Sequence, residues 1–154
     1  MDNLFMARAI QLSLDNVNSG GGPFGAVIVK NGSIVAEGVN RVTASIDPTA
    51  HAEVVAIRNA CAKLGAFELN DCEIYTSCEP CPMCLGAIYW ARLARIYFGN
   101  VAADASKIGF DDSFIYHEFD RPYPLRSIPM IQMMREQALA AFRAWQDKPN
   151  KIPY

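Results

Sequence analysis

The chain has 154 residues, of which 51% are hydrophobic and 19% charged, a size and balance that suit one packed domain over residues 1–154 and exclude a disordered chain. Its formal charge of −2 leaves no electrostatic footprint for a phosphate backbone, so free bases or nucleosides fit better than nucleic acid polymers. Met1 to Gly22 carries an acid at Asp2, an isolated Arg8 and no unbroken apolar run, and no stretch is apolar and long enough to span a bilayer, so a cytoplasmic protein without a membrane partner is expected.

From Asn3 to Val17, Leu4, Ala7, Ile10, Leu14 and Val17 recur at helical spacing, and Gly20-Gly21-Gly22-Pro23 stops the helix. Phe24 to Val29 and Ile34 to Val39 are rich in β-branched residues and flank Asn31-Gly32, a pair that tolerates the positive φ angles of a tight hairpin. Helical spacing resumes over Ala50 to Leu64, with Gly65 as a C-terminal stop. Cys72 to Thr76 reads as a strand, Pro82 to Leu93 as a helix and Ala94 to Phe98 as a strand. The β-β-α-β-α-β order predicts an α/β sandwich in which one parallel strand pair is joined through a helix. Asn100 to Phe110 reads as a mixed loop, and Arg121 to Met130 carries three prolines. Met134 to Trp145 returns to helical spacing, and Lys148 to Tyr154, with two prolines, reads as extended.

In a reducing compartment the five cysteines, Cys61, Cys72, Cys78, Cys81 and Cys84, stay as thiols, and clustered thiols there favour metal binding or chemistry over pairing. A catalytic zinc wants three protein ligands and an open fourth position. Cys81 and Cys84 open the Pro82 helix, where one turn can aim both sulfurs the same way, and His51 heads the Ala50 helix. The partial positive charge at the two helix starts favours thiolates. Glu53 lies two residues beyond His51, too far round a helix to be a co-ligand but well placed to move protons for a metal-activated water. Two other readings stay open: an iron-sulfur cluster on Cys78-x-x-Cys81-x-x-Cys84, which lacks the fourth cysteine and proline of a ferredoxin run, and a purely structural zinc. Cys61, Cys72 and Cys78 read as buried small residues.

His51-x-Glu53 followed by Pro80-Cys81-x-x-Cys84 resembles the signature of zinc nucleobase deaminases. The stretches Gly22-Pro23-Phe24-Gly25-Ala26, Asp47-Pro48-Thr49-Ala50-His51-Ala52-Glu53 and Thr76-Ser77-Cys78-Glu79-Pro80-Cys81-Pro82-Met83-Cys84 look like the cytidine deaminase superfamily. Within it, Gly109-Phe110-Asp111-Asp112-Ser113-Phe114-Ile115-Tyr116 and Tyr154 resemble the bacterial guanine deaminases. The resemblance implies a three-layer α/β/α sandwich around a mixed sheet, with one zinc per subunit on His51, Cys81 and Cys84. It implies that guanine and water give xanthine and ammonia by attack at C2 of the purine, with Glu53 shuttling protons and Asp112 assisting as a second acid. It also implies a homodimer whose C-terminal segments, about residues 134–154, are exchanged, so that Tyr154 meets the substrate in the other subunit.

By composition alone Asn40 and Asp112 are turn residues, and a chain end such as Tyr154 frays. The resemblance instead places Asn40 and Ala52 against the purine, and the Asn40 carboxamide offers the donor and acceptor that a base edge needs. Phe24 and Trp90 suit apolar walls for a flat ring, with core packing as the simpler alternative. Rival substrates are cytosine, an aminotriazine such as ammeline, and adenosine in transfer RNA.

Overall fold

The computed structural model describes residues 3–154; Met1 and Asp2, part of the N-terminal reading, lie outside the described residues. The chain divides into two units, Met1–Asp112 and Ser113–Tyr154.

In the first unit, helix α1 (Leu4–Asn18) opens on Asn3, whose Oδ1 accepts the backbone N–H groups of Phe5 and Met6 at 2.9 and 3.0 Å, so donors that lack intrahelical partners are satisfied. Strands β1 (Gly25–Lys30) and β2 (Ser33–Val39) form the expected hairpin. Asn31 and Gly32 between them both have positive φ, 50° and 70°, the geometry whose twist matches the flanking strands. A short helix α2 (Val42–Ser45) precedes α3 (Ala52–Leu64), then β3 (Cys72–Cys78), α4 (Pro82–Trp90), β4 (Arg95–Asn100) and α5 (Ala102–Lys107).

The four-stranded sheet has the order β2-β1-β3-β4. β1 runs antiparallel to both neighbours, while β3 and β4 are parallel and connected through α4. Because β1 is central and covered on both faces, its side chains are apolar almost without a break, Ala26 and Ile28 toward one face and Val27 and Val29 toward the other. On the first face Ala52, Ala56 and Ala60 of α3 and Ile88 of α4 pack with Ile74. On the second, α1 lays Ala9, Phe5, Met6 and Leu12 against Val27, Val29 and Tyr75. This unit is therefore the expected three-layer α/β/α sandwich with a mixed sheet. Alanines four apart on α3 let it lie close on β2, where a Cβ on Gly38 would come within 2.3 Å of the Ala52 carbonyl oxygen.

Several boundaries differ from expectation. The second long helix begins at Ala52 rather than Ala50, because the Ala50 N–H turns back to the Asp47 carbonyl at 3.1 Å and His51 is extended, with φ −69° and ψ 156°. The Pro82 helix ends at Trp90 rather than Leu93, as Arg92 takes a φ of 59°. The strand expected over Ala94–Phe98 runs over Arg95–Asn100. Asn100–Phe110 is not a plain loop: α5 forms there, and the Asp104 carboxylate accepts the Val101 N–H at 3.2 Å and pairs with Lys107 at 3.1 Å.

The second unit contains α6 (Ser113–Asp120), a 3-10 turn (Tyr123–Leu125) and α7 (Arg135–Asp147), the last close to the expected Met134–Trp145 helix. Its ties are polar and local: Glu118 Oε2 accepts the Ser127 backbone N–H and hydroxyl at 2.7 and 2.9 Å. None of its described residues is buried within the chain.

Candidate metal and active site

Two helix entrances meet at the end of β3. Each is preceded by a residue in extended conformation, His51 before α3 and Cys81 before α4, and neither makes a side-chain capping bond. Their side chains are thus left for another partner. The loop delivering His51 is fixed by Asp47, whose Oδ1 accepts the Thr49 N–H and hydroxyl at 2.8 and 2.7 Å, and whose other oxygen meets Arg58 at 3.4 Å. The Ala50 carbonyl accepts the Arg41 N–H at 2.9 Å and ties that loop back to the sheet. Pro82 occupies the first turn of α4, where its missing N–H costs no intrahelical bond.

His51 Nδ1 lies 3.6 Å from Cys81 Sγ and 3.5 Å from Cys84 Sγ, and the three donor atoms all fall within 4.8 Å of one another. A tetrahedral zinc with bonds of about 2.3 Å to sulfur and ~2.05 Å to nitrogen would set a nitrogen–sulfur edge of about 3.6 Å. The spacing therefore fits one zinc held by three protein donors, and no fourth Cys, His, Asp or Glu joins this cluster among the described residues. The donor chemistry agrees. The Cys81 thiol is lowered to about 4, chiefly by the hydrogen bond from Cys84 and then by His51, while Cys84 is pushed up by the Cys81 thiolate beside it and by burial. One proton leaves this pair easily and the second is held, so a cation is what lets both sulfurs ionise. The hydrogen bond to Cys81 raises His51.

Glu53, in the first turn of α3, is only 6% exposed. Its Oε1 accepts from Thr76 Oγ1 at 3.3 Å and its Oε2 from Cys84 Sγ at 3.4 Å. Burial raises its carboxyl above the ordinary value, which suits a group that must take up a proton and give it back. Thr76 was not among the residues expected from sequence. Its signal is the period of two along β3, where Cys72 and Ile74 face α3 and a hydroxyl next on that face has to find a polar partner.

Asn40, 9% exposed, uses Oδ1 to accept the Val42 N–H at 3.2 Å. Ala52 is fully buried at the first position of α3. Phe24 packs against the α3 face of the core and meets Phe110 edge-on, with centroids 5.0 Å apart. Asp112 is partly buried and raised by that burial, with the Cys81 charge acting in the same direction. Trp90 is 65% exposed, with the Arg92 guanidinium 5.9 Å from its ring centre, so core packing does not explain it. Tyr154 is 74% exposed in the second unit. Cys72 and Cys78 are buried as expected, and Cys61 is half-buried.

Residues 1–100 match the family described as the cytidine and deoxycytidylate deaminase zinc-binding region, and the chain belongs to that family. It is 58% identical over 151 residues to the guanine deaminase of Bacillus subtilis, covering 97% of each chain. The crystal structure of guanine deaminase from Bacillus subtilis superposes with a TM-score of 0.96 at 56% identity, over 100% of this chain and 99% of that one. The tRNA-specific adenosine deaminase of the same organism is 39% identical over 98 residues, 64% of this chain and 61% of its own. No helix of the described residues is long and apolar enough to cross a membrane.

Proposed function

We propose that the chain is a zinc-dependent hydrolase that converts guanine and water to xanthine and ammonia. The observation that carries this reading is the buried Glu53 carboxyl set 3.4 Å from a sulfur of the three-donor cradle. The likeness to a guanine deaminase along 97% of the chain supports guanine as the base. The net charge of −2 favours a small base over an RNA.

His51, Cys81 and Cys84 hold the zinc. When bound there, zinc supplies a Lewis acid that makes water a nucleophile at neutral pH. Glu53 takes one proton from the attacking water and delivers it to a ring nitrogen, then takes the second from the added hydroxyl and delivers it to the departing amine, so that ammonia leaves as the new carbonyl forms. Burial raises the carboxyl above its ordinary value, the direction that suits a group protonated in one step and deprotonated in the next. Asp112 acts as a second acid at the amino-bearing edge, and its raised value suits a proton donor. The Asn40 carboxamide and the backbone N–H of Ala52, a first-turn donor that the helix itself does not use, hold the base edge. Phe24 and Trp90 form the apolar walls.

The working unit is a homodimer of one-domain subunits in which residues 134–154 are exchanged and Tyr154 closes the partner's site. Support comes from the second unit, which buries none of its described residues within the chain while Phe142 is 70% and Ile131 80% exposed. Apolar surface on that scale marks an interaction face. All five cysteines are free, which suits the reducing cytoplasm. The deciding experiment is ammonia release from guanine, cytosine, adenine, ammeline and a tRNA anticodon stem. Turnover of guanine alone or by a wide margin is expected; turnover of cytosine with guanine inert would reject the substrate.

A further inference from the structure

Asn16, on the last turn of α1, turns its carboxamide away from its own helix. Its Nδ2 donates both protons, one to the Gly22 carbonyl at 2.8 Å and one to the Asn40 carbonyl at 2.9 Å. Its backbone carbonyl accepts the Gly21 and Ser19 N–H groups at 2.8 and 3.1 Å. One residue therefore joins the loop that enters β1 to the loop that leaves β2. The Asn40 N–H completes the tie by donating to the Phe24 carbonyl at 3.1 Å. The close approach depends on missing side chains: a Cβ on Gly21 would fall 2.4 Å from Asn16 Nδ2, and one on Gly22 would fall 3.1 Å from Asn40 Cγ.

We infer that Asn16 is a positioning residue for substrate, acting through Asn40, and this rests on the reading of Asn40 as a contact to the base. Asn16 fixes the Asn40 backbone from one side, Val42 holds its side-chain oxygen from the other, and Gly22 leaves the space in which the carboxamide sits. An aspartate at position 16 has the same shape but no donor. It would set a carboxylate against two carbonyl oxygens, so both loops must separate and the Asn40 amide loses its orientation. Misplacing a binding group by a fraction of an ångström weakens ground-state and transition-state contacts together, which raises KM more than it lowers kcat.

The test compares Asn16→Asp, Asn16→Ala, Asn40→Ala and the double variant Asn16→Asp/Asn40→Ala, reading zinc content, Tm, and kcat and KM for guanine. The expected result is one zinc per chain in every variant, a KM raised roughly tenfold or more in Asn16→Asp, and no further rise in the double variant over Asn40→Ala. A normal KM in Asn40→Ala would reject the base contact itself. A raised KM in Asn40→Ala beside a normal KM in Asn16→Asp would overturn the positioning role alone. Loss of zinc or of the folded state in both Asn16→Asp and Asn16→Ala, or fully additive effects in the double variant, would make Asn16 a residue of the fold and overturn the inference.

Discussion

Thr76 donates a hydrogen bond to Glu53, Oγ1 to Oε1 at 3.3 Å, from a strand in the sheet to the first turn of the helix packed on it. The second carboxylate oxygen lies 3.4 Å from Cys84 Sγ. A Cys84 that binds zinc as a thiolate has no proton to donate, so in that state Thr76 supplies the bond that orients Glu53. On the proposed mechanism, Glu53→Gln removes the proton carrier but no ligand. It is expected to keep one zinc per chain and to lose roughly 10²–10⁴ in kcat or more. Zinc analysis beside an ammonia assay checks this, and metal lost in step with activity would recast Glu53 as part of the metal cradle. Thr76→Val keeps the shape of the strand and frees one oxygen, so a smaller drop, about tenfold in kcat, should appear with zinc unchanged.

Removal of zinc is expected to abolish turnover and lower Tm, with both restored by adding the metal back. Because protons compete with the cation for the imidazole and the two sulfurs, occupancy should fall as pH is lowered. Cys84→Ala leaves two donors and is expected to bind zinc too weakly to survive dialysis. A variant that retained zinc and activity without this sulfur would show that the spacing of the three donor atoms is incidental.

Gly38 lies on β2 where α3 crosses it, and an added Cβ would meet the Ala52 carbonyl at 2.3 Å and the Ala56 nitrogen at 2.5 Å. Both obstacles are backbone, so neither can swing away. Gly38→Ala should cost about 1–3 kcal/mol, a fall of roughly 2–12 °C in Tm. It should also weaken zinc retention, since α3 carries His51 at its entrance. A thermal melt unchanged within error would mean that the helix has room to shift.

The apolar patterning of this chain reveals most of the sandwich because its elements are simple. β1 is an unbroken apolar run because helices cover both faces, and Asn31-Gly32 declares its hairpin through the one backbone geometry that pair favours. The metal cradle shows in the spacing of His51, Cys81 and Cys84, since each donor sits beside a helix start that sequence can locate. Thr76 and Asn16 did not show, because their roles come from contacts across 23 and 24 residues of chain that no local spacing encodes. The α5 helix was hidden for a different reason: six residues are too few for a visible apolar period, and an Asp104 cap defines its start instead.

Arg8 grips Glu37 with two hydrogen bonds of 2.7 Å, fastening α1 to β2. That contact holds the Glu37 carboxyl below its ordinary 4.5. Its stabilisation is therefore complete above the unfolded value and is lost as pH falls through the lower folded one. Both side chains are more than a third exposed, so Glu37→Gln should cost only about 0.5–1 kcal/mol at pH 7. The gap between variant and parent should close on acidification below 4.5. A gap that stayed constant down to the acid transition would assign the difference to packing instead of charge.

The proposed exchange of tails makes a prediction about two impaired variants. Deleting Ile152 to Tyr154 is expected to lower activity with little change in Tm, because the lost residues are exposed within the chain. Glu53→Gln keeps its tail and loses its chemistry. When the two are co-expressed, half of the dimers formed by random pairing contain one chain of each kind. In such a dimer the truncated chain's intact Glu53 lies under the tail supplied by its partner, so about a quarter of all sites should recover. Activity that stayed at the sum of the separate preparations would place each tail over its own site, or leave it away from the site altogether.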